Sequence, residues 1–308
     1  MAAILPAVIL CLAGQALADA RPAVEAPLAP TSLLLDAATA GTRVVAVGQR
    51  GHILVSGDGG ASWTQAPVPA RALLTALYMH DENTGWAVGH DAVVLRTDDG
   101  GETWRLVHRA PEEERPLLDV WFRDKQTGFA VGAYGYFLTT HDGGKTWTSR
   151  AISKDDFHLN EIVPAGPRRL FIAAEAGVVY RSDDGGASWR ELSSPYTGSW
   201  YGVLVTDKEE VLLLGLRGHL FRSEDGGGSW TQVATGTTAT LTDAIRLPDG
   251  AVLITGLEGI LLTSRDGGRS VSATRLPSRQ GITSALALAD GGVLLTGEFG
   301  VRRLPRPE

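Results

Sequence analysis

Cysteine is nearly absent from this 308-residue sequence: the single copy, Cys11, sits in an apolar run at the N-terminus. Beyond that run, a disulfide framework or a thiol nucleophile is excluded. Histidine occurs only seven times and never as an i, i+4 pair, so no histidine-based metal motif is present. Positive charge is not in excess either. Lys and Arg total 28 against 35 Asp and Glu, a net charge of −7 with a pI near 5.5, unlike the basic footprint of a nucleic-acid binder. A sustained 3.6-residue periodicity is missing after residue 31, where glycines and β-branched runs interrupt it. What the chain does have is 38 glycines, 8 tryptophans and 44% hydrophobic residues, enough for a large core built from strands and turns.

Five of the tryptophans close one recurring motif. It runs Ser56-Gly57-Asp58-Gly59-Gly60-Ala61-Ser62-Trp63 and returns at 97–104, 140–147, 182–189 and 223–230. A sixth copy at 264–271 ends in Val271. Its aspartates, Asp58, Asp99, Asp142, Asp184, Asp225 and Asp266, are spaced 41, 43, 42, 41 and 41 residues apart, a period that marks a repeat architecture. Extended runs flank each copy, so the motif reads as a hairpin turn. The aspartate accepts backbone amides two or three residues on, and the glycines after it tolerate positive φ. The tryptophan then lays its ring against a neighbouring unit. These carboxylates resemble a calcium loop, but the alternating ligand spacing and the downstream bidentate Glu are absent, so the turn is expected to hold no metal.

Each unit contains four short runs. The second runs align as Val44 to Gly48, Trp86 to Gly89, Phe129 to Gly132, Leu170 to Ala174, Val211 to Gly215, Val252 to Gly256 and Val293 to Gly297, which makes seven units. Four strands per unit and seven units predict an all-β, seven-bladed β-propeller of antiparallel blades. The last unit has no turn motif and no fourth run. Residues Ala23 to Leu28 are expected to supply that strand, so that the ring closes by pairing of the N- and C-terminal segments. Ahead of the propeller, Met1 to Ala18 reads as a signal peptide, with small residues before the cleavage point and a second candidate site at Ala20. No Lys or Arg precedes its apolar run, and Leu10 before Cys11 speaks against a lipid anchor. Residues 19–308 are then one exported domain.

The eight-residue motif is similar to the Asp-box, or BNR, repeat. The short units, with Val131-Gly132-Ala133-Tyr134-Gly135 after a second strand, look most like the photosystem II stability and assembly factor family. That resemblance covers nearly the whole chain after residue 18. It implies a seven-bladed, exported, non-enzymatic protein without a cofactor, acting as a monomeric binding scaffold or assembly factor. The partner it implies is a membrane protein, or a subunit of a transporter or other complex in the envelope. It also implies that the Asp-box turns lie on one face and that ligands bind the other, at turns between second and third strands and at loops between blades. Binding-face candidates are Arg50, His90, Asp91, Tyr134, Glu175, Arg217, Glu258, Glu298 and Phe299. Counting 23 to 24 residues back from each box aspartate adds Thr75, Asp119, Asn160, Tyr201 and Thr242, with Thr283 in the last unit, as polar side chains around the channel mouth.

Asp-box propellers also include sialidases and carbohydrate-binding proteins, so a glycoside hydrolase is the alternative. It needs three arginines around a substrate carboxylate, a Tyr activated by a Glu, and an Asp acid–base group. Arg50, Arg71, Arg115 and Arg217, with Tyr201, Glu175 and Asp119, are the residues from which such a site would be assembled. An Arg-Ile-Pro stretch near the first blade and long active-site insertions are both missing.

Overall fold

The computed structural model describes residues 20–206 and 210–305, and the segment expected to be a signal peptide, Met1–Ala18 with Cys11, lies outside them. The described chain forms seven antiparallel sheets in sequence order, six of four strands and the last of three. Each sheet is one blade. The inner strands are Leu34–Ala40, Leu74–Met79, Leu117–Phe122, Leu159–Pro164, Trp200–Val205, Leu241–Arg246 and Ile282–Ala287. Each packs on the next, and the first packs on the last, so the ring is closed. The second strands are buried at every position but Arg43, as expected of strands covered on both faces by neighbouring blades.

The recurring motif forms the turn between third and fourth strands, and its hydrogen bonds are local. In the third blade Thr140 Oγ1 donates to Asp142 Oδ1 at 2.9 Å, and Asp142 accepts Thr146 N at 2.9 Å and Thr146 Oγ1 at 2.6 Å. Gly144 N donates to Thr140 Oγ1 at 2.9 Å. The same Ser or Thr donation to the aspartate recurs in all six copies. Gly143 and Gly144 have φ of 76° and 84°, and a Cβ on Gly144 would stand 3.0 Å from the Trp86 indole nitrogen, so the turn needs glycine twice over. Each box tryptophan packs on the cluster between its own blade and the preceding one, as Trp147 does on the cluster that holds Trp86, Val94 and Phe122.

Ring closure differs from the expectation. Among the described residues the last blade has three strands, and Ala23 to Leu28 pair with none of them. Pro22, Pro27 and Pro30 leave this segment few donors, and blade 1 takes them: Ala23 N donates to Val68 O and Ala26 N to Gln65 Oε1, both at 2.9 Å. Gln65 Nε2 answers by donating to Val24 O at 3.0 Å. The last and first blades meet instead through side chains. Thr283 Oγ1 donates to Leu34 O at 2.9 Å and Ser284 Oγ to Asp36 Oδ1 at 3.0 Å. At Gly300 (φ 82°) the Pro30 carbonyl comes so close that a Cβ would lie 1.9 Å from it.

Candidate functional site

The face opposite the Asp-box turns repeats one backbone device seven times. The first residue after each second strand donates its N–H to the carbonyl just before the inner strand of its own blade: 49 to 33, 90 to 73, 133 to 116, 175 to 158, 216 to 199, 257 to 240 and 298 to 281, all between 2.8 and 3.1 Å. The next residue is left-handed in six of the seven turns: Arg50, Asp91, Tyr134, Ala176, Arg217 and Glu258, with φ of 54–59°. A non-glycine residue pays about 1–2 kcal/mol for that conformation. In return the turn aims its side chain away from the blade.

The candidate residues divide into engaged and free ones. The acids are engaged. Asp91 pairs with Arg109 at 2.9 Å, and Glu258 with Arg275 at 2.6 Å. Glu175 accepts His158 N at 3.0 Å, with His158 Nδ1 at 3.6 Å, and Glu298 accepts Gly281 N at 2.9 Å. Phe299 is half-buried under Arg302, whose guanidinium lies 4.5 Å from the ring centre. By contrast, Arg50 and Arg217 are exposed, with no hydrogen-bond or ion-pair partner among the described residues. His90 is exposed beside Asp91. Tyr134 is 55% exposed and meets His158 edge-on at 4.8 Å, and Tyr201 is 39% exposed at the channel mouth.

Asp119 is not in that set. Every inner strand slips register at its second residue, so the slip is shared by all blades. Asp119, however, lies 23 residues before its box aspartate where Thr75, Asn160, Tyr201 and Thr242 lie 24 before theirs, and the matching position is Leu118. Asp119 therefore aligns with Asp36, Glu161 and Asp243, one residue deeper than Thr75, Asn160, Tyr201, Thr242 and Thr283. Each of these four carboxylates accepts a backbone N–H from the next blade: Asp36 from Leu77, Asp119 from Ile162, Glu161 from Val203 and Asp243 from Ala285, at 2.6–2.8 Å. They are inter-blade staples that sequence counting missed. All are enclosed by the ring yet keep some surface open to the channel. Burial is the main cause that pushes Asp36 and Asp119 up to about 7, with mutual repulsion adding to it. Burial also raises Asp243 and raises Glu161 well above the ordinary carboxylate range. The box aspartates move the other way. At Asp58 the hydroxyl and amide of Ser62 hold the carboxyl well below its usual range, and at Asp225 the Ser229 amide leads in lowering it to about 2.

The channel-mouth threonines are structural as well. Thr75 Oγ1 donates to Leu117 O at 2.8 Å, and Thr242 Oγ1 to Ile282 O at 2.8 Å. The groups a glycosidase would require are thus dispersed. Asp119 is committed to two amides, Val120 N and Ile162 N, Glu175 is tied to His158, and Arg115 lies over Tyr136 at 4.2 Å. Among the described residues no three His, Cys, Asp or Glu side chains are grouped to hold a metal ion.

A further cleft of about 330 Å³ opens on the same face where the N-terminal segment crosses blades 1 and 2, lined by Arg21, Arg71, Asp91 and Arg109. Arg71 Nε donates to Pro22 O at 3.2 Å, which draws the segment in. Nothing periodic in the sequence marks Arg21 or Arg109. Only the fold-back of a proline-rich segment onto blade 1 brings Arg21 there.

A family model described as photosynthesis system II assembly factor YCF48 matches residues 23–112 and 108–257. The chain belongs to this family. Within it, the photosystem II stability/assembly factor HCF136, chloroplastic, of Cyanidioschyzon merolae (strain NIES-3377 / 10D) is 39% identical over 140 residues, 43% of this chain and 32% of that protein. The chain thus spans about a third of the length of the curated relative it matches. A solved structure of YCF48 bound to D1 peptide superposes with a TM-score of 0.76 at 17% identity, covering 94% of this chain and all of that one. YCF48 from Cyanidioschyzon merolae gives 0.72 at 17% identity over 94% and 99% of the two chains. At such identity these family structures bear on the fold alone.

Proposed function

We propose that this chain is an exported, non-catalytic, monomeric scaffold that holds an extended peptide segment of an envelope membrane protein during assembly. The segment would lie across the face opposite the Asp-box turns. The observation that carries this reading is the asymmetry of that face: its acids are consumed by local partners, whereas Arg50 and Arg217 are free on strained turns, with Tyr134 and Tyr201 exposed among them. Free arginines and exposed tyrosines are the side chains that dominate protein-recognition energetics. The D1 peptide carried by the related YCF48 structure supports a peptide as the ligand class. Partner capture from detergent-solubilised native envelope tests it. R50E/R217E should fold as the parent does and lose the captured membrane protein; capture that persists unchanged would reject this face. Export through Met1–Ala18 is read from the mass of the mature N-terminus, which should begin at Asp19 or Arg21.

A further inference from the structure

We infer that the ring has a second docking surface, on its outer wall: the free edge of the last blade, which takes an extended acidic segment of another protein as a fourth strand. The strand Gly300–Leu304 pairs with Val293–Gly297 on one side, and no described residue hydrogen-bonds its other edge. In the other six blades a strand following the box turn covers the corresponding edge. Gly300–Leu304 runs five residues, against two to four for those outer strands, so it offers the longest outer edge on the wall. Unpaired N–H and C=O groups along such an edge are a template for strand addition.

Charge selects the occupant. The chain carries −7 overall. Of the arginines near this blade, Arg265, Arg269 and Arg275 are matched by Asp249, by Glu210 and Glu224, and by Glu258. That leaves Arg279, Arg302 and Arg303, with Asp290 the one acid paired among them, to set the sign of charge beside the edge. Arg302 leans towards Ser278 and the Phe299 ring, while Arg303 pairs with Asp290, so cations flank the edge on both sides of the sheet. The side chain of Arg279 is exposed and unpaired among the described residues. A second copy of this strand is disfavoured, because antiparallel self-pairing would set Arg against Arg. Continuation of the chain is disfavoured as well, since Pro305 and Pro307 cannot donate to a ladder.

The probe is a fluorescein-labelled hexapeptide of alternating Glu and Val, with its alternately N-methylated twin as control, titrated into the full chain. Hydrogen exchange within Gly300–Leu304 is followed in parallel. Binding of the first peptide alone is expected, with slowed exchange of outward amides in this strand. R302E/R303E should weaken it about tenfold, equivalent to about 1.4 kcal/mol, and R50E/R217E should leave it unchanged, which separates this surface from the opposite-face reading. The inference is overturned if both peptides bind equally or neither binds. It is also overturned if these amides are already protected in the free chain, by its own residues or by a second copy, or if R302E/R303E binds as the parent does.

Discussion

The seam between blades 2 and 3 and the seam between blades 5 and 6 solve one packing problem with different chemistry. At the first, Trp86 stacks on Phe122 with ring centres 3.5 Å apart and Trp147 meets Phe122 edge-on at 5.9 Å. The Trp86 indole and Arg96 Nη1 both donate to the Gly143 carbonyl, at 3.2 and 2.8 Å, while Thr75 bonds across the inner strands. At the second seam the box ends in Val271, and among the described residues the Tyr201 side chain makes no hydrogen bond to blade 6, while Gly202 stands where other inner strands carry a carboxylate. Arg222 makes there the contact that Arg96 makes at the first seam, and adds acids to it. It donates to Gly267 O at 3.0 Å, pairs with Glu210 at 2.7 Å and with Glu224, and Arg269 reaches both acids at 3.5 and 3.2 Å. One seam rests on buried aromatic area, the other on a half-sheltered ion cluster. The arginine on the turn carbonyl is common to both seams; what the seam without the tryptophan adds is the cluster of Glu210, Glu224 and Arg269 around it.

Four measurements sharpen this contrast, taken from the largest expected effect. Trp86 is fully buried, so Trp86→Ala should cost about 4 kcal/mol in denaturant unfolding; a loss below about 1 kcal/mol would place the strength of that seam elsewhere. Arg222→Met leaves Glu210 and Glu224 with Arg269 alone as their common partner, at 3.5 and 3.2 Å. A loss of about 2–3 kcal/mol is expected, less than for a sealed pair because Glu224 is exposed, and an unchanged midpoint would make the ion cluster ornamental. Val271→Trp restores the missing ring and should add about 1 kcal/mol while reducing the salt sensitivity of melting; destabilisation would mean the seam has already collapsed around valine.

The smallest effect concerns pH. Asp36 and Asp119 hold their protons up to about pH 7 in the folded ring but release them near 4 when unfolded, so their contribution to stability falls as pH rises from about 4 to 7. The box aspartates, with lowered values, lose their contribution only as pH drops below about 4. Asp119→Asn should therefore flatten the decline of melting temperature between about pH 4 and 7, and a slope identical to the parent's would contradict the placement of that carboxylate.

The fold was legible because its signature is local. Ser56, Asp58, Gly60 and Ser62 bond within five residues of one another, and an octapeptide repeated six times cannot hide such a pattern. The outer rim of the candidate face was legible for the same reason, since Arg50, Asp91, Tyr134, Arg217 and Glu258 occupy one position of a short turn. The staples were not. Asp36 and Leu77 N are 41 residues apart, and a register slip at the second residue of each inner strand precedes the staple position. The N-terminal segment escaped as well, because a single side chain, Gln65, decides its path.

The first and last blades touch through Thr283 and Ser284 and through a buried cluster that joins Leu34, Val44 and Leu54 to Leu288 and Leu294, so the circle is clasped rather than woven. No ladder ties the two chain ends together among the described residues, and blade 7, with a neighbour bonded to it through the chain on one side only, is the blade that can peel away by breaking side-chain contacts alone.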